Sequence, residues 1–222
     1  MFFDATGTLI HLPRGVAFHY ADVARRHGAD FSEADLDRAF HAAWKEMPGR
    51  ASTIGPRPND DKEWWRALVD RTLDRLQPVK LDRLAFFEEL YAEFTLPGVW
   101  ALFPEIREVL EILRARSRLG VISNFDSRLR TIFDRLGITG FFDEIVISSE
   151  VGADKPDEKI FQIALARFGV APYEALHVGD DPENDWRAAQ RAGLRVFPLN
   201  RATMDLYPLI RSTSVGMLKT PR

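Results

Sequence analysis

The sequence predicts an α/β fold: a parallel-sheet core interrupted near its beginning by a helical insertion. Three observations predict it. A very short apolar strand opens the chain, residues 15–96 then carry helical periodicity throughout, and after Pro97-Gly98 short apolar strands alternate with helices, the rhythm of parallel α/β architecture. At 222 residues the chain is about one and a half times a typical domain, which suits one domain with a large insertion. The core is expected over 1–14 and 97–222, and the insertion over 15–96.

The elements follow in order. Met1-Phe2-Phe3 reads as the first strand; it is so short that the chain is expected to begin later than related chains do. Residues 4–10 are rich in turn formers. Helices are expected at 16–27, 32–47, 60–76 and 81–94, each with apolar residues three and four apart. Ser32 followed three residues later by Asp35 resembles a capping box, and Phe31 and Leu36 are placed to staple across it. Residues 48–59, with Pro48, Gly49, Gly55, Pro56 and Pro58, are denied regular structure and form a loop of unusual length. Beyond them the pattern gives helix 104–116, strand 119–123, helix 127–136, strand 144–148, helix 156–168, strand 175–178, helix 184–192 and strand 195–198. The tail from Arg211 is polar and expected to be unordered.

Composition excludes several classes of function. Apolar residues make up 45% and charged residues 28%, with 14 Gly and 13 Pro, values of an ordinary globular chain with a real core and no low-complexity character. Lys and Arg (30) nearly balance Asp and Glu (33), so no basic excess attracts nucleic acid or an anionic membrane. The absence of cysteine excludes disulfides, thiolate metal sites, thiol nucleophiles and iron–sulfur clusters. No apolar run approaches the roughly eighteen residues of a spanning helix, and Asp4 interrupts any signal-peptide stretch. A cytoplasmic protein acting on a small molecule is expected.

Four polar clusters fall at the carboxyl ends of the expected strands, where open parallel sheets bind ligands. They are Asp4 with Thr6 and Thr8; Ser123 with Asn124; Lys155; and Asp180, Asp181 and Asp185. Each alone is ordinary turn, cap or surface chemistry; their conjunction in this order is not. Two carboxylates about 4 Å apart repel by roughly 4 kcal/mol at an effective dielectric of ~20, so a cation must sit among them. Oxygen donors without His or Cys suit Mg²⁺, which accepts one or two carboxylates plus substrate phosphate. Lys155 adds positive charge, Ser123 can donate to phosphoryl oxygens, and Asp4 can attack as a carboxylate nucleophile.

These residues resemble the motifs of the haloacid dehalogenase (HAD) superfamily. Phe2-Phe3-Asp4-Ala5-Thr6-Gly7-Thr8-Leu9 is similar to motif I, Gly120-Val121-Ile122-Ser123-Asn124-Phe125-Asp126 to motif II, Lys155-Pro156-Asp157 to motif III, and Gly179-Asp180-Asp181-Pro182-Glu183-Asn184-Asp185 to the GDxxxxD form of motif IV. The helical insertion between motifs I and II is similar to the C1 cap of subfamily I. The wording of motif II, with paired Trp64-Trp65 in the cap, resembles the rhythmically-expressed-protein-like branch. The resemblance implies a Rossmann-like core and Mg²⁺-dependent hydrolysis of a small phosphate ester through an aspartyl-phosphate on Asp4. It implies metal ligands Asp4, Thr6 (by its backbone carbonyl) and Asp180, catalytic roles for Asp4, Ser123 and Lys155, and substrate contacts from Ser123, Asn124 and Lys155. Thr8 and Asp185 would be supporting residues, with Asp181 able to substitute for Asp185 or simply to start a helix.

One departure matters for chemistry. Most phosphatases of the family carry an acid/base Asp two residues after the nucleophile, where this chain has Thr6, a poor acid and base near neutrality. Slow turnover, or a preference for good leaving groups, is expected. Two alternatives remain open. One is a 2-haloacid dehalogenase-like hydrolase, which uses the same Asp without a leaving-group acid, although Asp180 without a cation would be costly there. The other is a binding protein of low activity on the same frame. On the loops flanking the entrance, His11, Arg14 and Arg57 could reach a substrate anion but are expected to be solvated, and Trp44, Trp64 and Trp65 are expected to pack the insertion rather than stack on a ligand. Opening is expected about the linkers 12–15 and 95–98.

Overall fold

A computed structural model describes residues 1–50 and 52–211; the tail expected to be unordered lies, from Ser212 onward, outside the described residues. The described residues form a five-stranded parallel sheet, with Phe2–Phe3 (β1) at its centre. Gly120–Ser123 (β4) and Glu144–Ile147 (β5) lie to one side, Leu176–Gly179 (β6) and Arg195–Pro198 (β7) to the other. Phe2 is in register with both Gly120 and His177.

Both faces of the sheet are buried, and side-chain alternation decides what each face holds. Phe3, Val121, Ile145 and Ile147 face a cluster shared with Ile106–Arg114 (α5) and Arg128–Arg135 (α6). Phe2, Ile122 and Val146 face Glu158–Phe168 (α8) and Ala188–Arg191 (α9). Each helix presents apolar residues three and four apart, as in α5, whose Ile106, Val109, Leu110 and Leu113 are buried. The expected alternation of helices and strands from 104 to 198 is therefore present, with ends shifted by a few residues. A short helix, Ser148–Val151 (α7), directly follows β5, and Tyr207–Arg211 (α10) packs near the first cluster through Tyr207, Leu209 and Ile210.

The insertion contributes Gly15–Arg26 (α1), Glu33–Glu46 (α2), Lys62–Leu73 (α3) and Arg83–Glu93 (α4), which bury Tyr20, Leu36, Val69, Phe86 and Leu90 in a cluster of their own. Ser32 caps α2 by accepting the Asp35 amide at 3.1 Å, and Phe31 packs on the same cluster as Leu36. Only half of the capping box forms, because the Asp35 carboxylate accepts the Ser32 hydroxyl instead of its amide.

Three expectations are corrected. The third helix begins at Lys62 rather than residue 60, because Asn59, Asp60 and Asp61 adopt left-handed backbone with φ of 51°, 52° and 61°, a conformation Asn and Asp tolerate best after Gly. The Asp60 carboxylate accepts the Ser127 amide at 2.9 Å and the hydroxyls of Ser127 and Ser149. Second, Arg57 is buried, not solvated: it pairs with Asp61 at 2.7 Å and with Asp154 at 2.9 Å. The 48–59 loop is irregular as expected yet pinned, with Thr53 donating to the Gly152 carbonyl and Arg57 to that of Ser149. It lies so close that a Cβ on Gly152, at φ 69°, would sit 2.2 Å from the Thr53 hydroxyl. Third, Ile10–His11 (β2) and Ala101–Leu102 (β3) pair antiparallel, at the end of the turn-rich stretch 4–10 and in residues 99–103, to which the sequence assigns no element. No helix among the described residues is long and apolar enough to cross a membrane.

Candidate active site

The carboxyl ends of β1, β4 and β6 bring the predicted polar clusters together. Asp4 follows β1, its amide bonded to the Val178 carbonyl at 2.8 Å, so the central strand delivers the carboxylate to the rim of the sheet. The Lys155 ammonium reaches it and Asp185 at once, 2.6 Å from Oδ1 of each. Asp185 in turn accepts the Asp181 amide at 3.1 Å on Oδ2 and lies 2.9 Å from His177 Nε2 on Oδ1. An ionised carboxylate can only accept, so Nε2 carries the imidazole proton.

Electrostatics separate the two carboxylates sharing one ammonium. Burial would raise both. For Asp185, the Lys155 charge and the His177 hydrogen bond outweigh burial and hold it far below the ordinary carboxylate range. For Asp4, burial prevails over Lys155, aided by the negative charge of Asp185, and pushes it up to about 7. Burial likewise raises Asp180 and lowers His177, while Asp4 and Asp185 outweigh burial to raise Lys155. With His177 neutral, one ammonium faces three carboxylates.

Asp4, Asp180 and Asp185 each offer an oxygen within 4.8 Å of the others. Asp185 is committed to Lys155, His177 and the Asp181 amide, whereas among the described residues the one side-chain donor to Asp180 is the Thr8 hydroxyl, at 3.0 Å. Among the described residues the Thr6 carbonyl accepts no hydrogen bond. Two underused carboxylates and a free carbonyl, all oxygen and deficient in positive charge, fit a hard divalent cation. Gly7 makes the cluster possible: at φ 82°, a Cβ there would lie 2.4 Å from Asp180 Oδ2.

The other predicted residues occupy distinct places. Ser123, buried at the end of β4, and Thr6, exposed, both line the cavity into which Asp4 opens. Asn124 also borders it, but its amide is occupied: Nδ2 donates to the Lys155 carbonyl and Oδ1 accepts the Lys155 amide, both at 2.7 Å. Its visible work is to hold Lys155. Asp181 caps the π-helical turn Pro182–Arg187, accepting the Glu183 and Asn184 amides at 2.8 and 2.7 Å, so the helix-start reading is the correct one.

Some site residues were not singled out from the sequence. His177 reads from the sequence only as part of a strand, although a histidine inside β6, eight residues before Asp185, is a usable signal. Arg201 donates to the Thr8 carbonyl and to Glu105, tying the segment after β7 to the loop that carries Asp4; nothing in its local sequence marks it. Trp44 and Trp65 line the cavity, which corrects the expectation that they serve insertion packing alone.

This constellation on a parallel sheet defines a haloacid dehalogenase-like hydrolase: the model of that hydrolase family matches residues 1–193, and the chain belongs to the family. Haloacid dehalogenase-like hydrolase domain-containing protein 3 of Mus musculus is 35% identical over 216 residues, spanning 92% of this chain and 85% of the mouse protein. The Rhythmically expressed gene 2 protein of Drosophila melanogaster is 31% identical over 204 residues, spanning 86% and 78%, in keeping with the resemblance carried by the motifs. The HAD-hydrolase YfnB from Bacillus subtilis, solved bound to magnesium, superimposes with a TM-score of 0.78 over 95% of this chain and 96% of its own at 16% identity, a likeness of fold.

Proposed function

We propose that the chain hydrolyses a small phosphate ester through an aspartyl-phosphate on Asp4. The observation that carries this is the placement of Lys155, which occupies Oδ1 of Asp4 and leaves Oδ2 without a hydrogen bond among the described residues, in a residue that lines a cavity of about 450 Å³. A bound Mg²⁺, held by Asp4, Asp180 and the Thr6 carbonyl, would neutralise phosphoryl charge and favour the ionised form of Asp4. Oδ2 attacks phosphorus, the bond from phosphorus to the ester oxygen breaks, and the alcohol departs with a proton from solvent. Water then attacks the phosphorus of the acyl phosphate, releasing phosphate and restoring Asp4. Lys155 holds the nucleophile, and Ser123 donates to a phosphoryl oxygen.

Thr6 stands where an acid would protonate the leaving group. Its hydroxyl cannot do so efficiently, so turnover is slow with alkyl esters and faster when the leaving group needs no proton. Asp180 supports the phosphatase reading over a dehalogenase, since a metal-free mechanism leaves that half-buried carboxyl without a counter-charge of its own. The test is a panel of phosphate esters and 2-haloacids, each with Mg²⁺ and with chelator, using wild type and Asp4→Asn. Phosphate release that needs both Mg²⁺ and Asp4 is expected; chelator-resistant halide release would overturn the reading.

A further inference from the structure

The cavity that opens from Asp4 has two unlike ends. One end is the polar cluster just described. The other is walled by all four insertion helices through Val16, Phe40, Trp44, Trp65 and Leu90. The aromatic rings run without a break: centroid separations are 5.9 Å from Phe40 to Trp44, 6.1 Å from Trp44 to Trp65, and 6.5 Å from Trp65 to Phe125. Phe125 stands two residues beyond Ser123, so the apolar wall reaches the phosphoryl-binding end itself.

The basic side chains on this wall are already engaged. Arg128 donates to both oxygens of buried Asp126, at 2.8 and 2.7 Å, and to the Tyr91 carbonyl at 3.0 Å, while its guanidinium lies 3.6 Å over the Tyr91 ring. His41 Nδ1 is engaged with the Asp37 carbonyl at 2.8 Å. Lys155 is held by Asp4 and Asp185. No cation on the described wall is left to receive a carboxylate or a second phosphate, and desolvating such a group without a partner would be unfavourable. At about 450 Å³ the cavity falls in the range of small-molecule pockets, with room well beyond that of a three-carbon chain.

We infer that the alcohol part of the substrate is uncharged and apolar: the chain takes monophosphates of aromatic or medium-chain aliphatic alcohols, with the phosphate at Asp4 and the apolar group against Phe40, Trp44 and Trp65. This rests on the phosphatase reading above. Burying two or more additional methylenes on such a wall corresponds to a preference of ~10-fold or more.

Four substrates separate the two claims. Acetyl phosphate, small and with a good leaving group, tests phosphatase activity alone. Propyl and hexyl phosphate share leaving-group chemistry and differ only in apolar reach, and phosphoglycolate carries the extra anion. The expected result is turnover of acetyl phosphate, a kcat/KM for hexyl phosphate ~10-fold or more above propyl phosphate and arising in KM, and weaker use of phosphoglycolate than of either. In Trp44→Ala, a substitution at a side chain 46% exposed, the hexyl-to-propyl ratio falls severalfold. Binding gives a second readout: in Asp4→Asn, hexyl phosphate perturbs tryptophan fluorescence at lower concentration than propyl phosphate. Turnover of acetyl phosphate with propyl phosphate or phosphoglycolate preferred to hexyl phosphate overturns the inference and leaves the phosphatase reading standing. Failure to hydrolyse acetyl phosphate overturns both.

Discussion

Replacing Arg57 with methionine tests whether the long loop of the insertion is fastened to the core by buried charge. The guanidinium donates to Asp61 at 2.7 and 2.9 Å and to Asp154 at 3.0 Å, with side-chain exposures of 5%, 6% and 16%. Removing one partner of a buried pair typically costs about 3–5 kcal/mol. The lower end applies, because Arg50 remains 3.4 Å from Asp61 and 3.1 Å from Asp154 and continues to offset both carboxylates. A loss of about 3 kcal/mol in a chain of this size lowers Tm by roughly 6–12 °C. Calorimetry and urea denaturation of Arg57→Met measure it, with acetyl phosphate kinetics alongside. An unchanged Tm accompanied by a raised KM would refute the reasoning, since it would make Arg57 a substrate contact rather than a fastening.

Further outcomes follow from the site. In Thr6→Asp the missing acid is restored, so kcat/KM, which reports transfer of the phosphoryl group to Asp4, rises at least ~10-fold for alkyl phosphates and changes little for acetyl phosphate, while kcat rises for both as water attack is quickened; equal effects on the two kcat/KM values would contradict the assignment of position 6. The Asp4 carboxyl, raised by burial to about 7 from 3.8, is favoured protonated when no cation is bound. The metal-free protein therefore loses stability as pH rises from about 4 through about 7. Because cation binding displaces that proton, Mg²⁺ affinity climbs up to tenfold per pH unit to about pH 7 and levels off above it. Titration calorimetry over this range checks the linkage, and a pH-independent affinity would contradict it.

The parts of the site legible in the sequence are those where chemistry is local. Asp4, Ser123 and Asp180 each stand at or just past the end of an apolar run and Lys155 just before a helix, and parallel topology gathers such positions at one edge of the sheet. The strands themselves were legible because both faces are buried and their runs are almost wholly apolar. What escaped was decided by distant partners. Nothing near Arg57 announces Asp154, and the left-handed turn at Asn59–Asp61 is stabilised by Ser127 and Ser149, far along the chain. The β2–β3 ribbon has two residues a side, too few for a period to show. Helical periodicity located the aromatic face of α2 and α3, but it marks an apolar stripe without saying whether another helix or an empty cavity lies against it. For that reason Trp44 and Trp65 read as packing residues.

Hydrolysis through Asp4 requires a covalent phosphoryl group on that residue, and Thr6 makes it observable, because water attack without an acid/base partner is slow enough for the intermediate to accumulate. Acid quenching during turnover of acetyl phosphate with Mg²⁺, followed by peptide mass spectrometry, measures it directly. A phosphorylated Asp4 that is absent in the presence of chelator is the predicted result; phosphate release with Asp4 unmodified at every time point, or with the label on another residue, would contradict it.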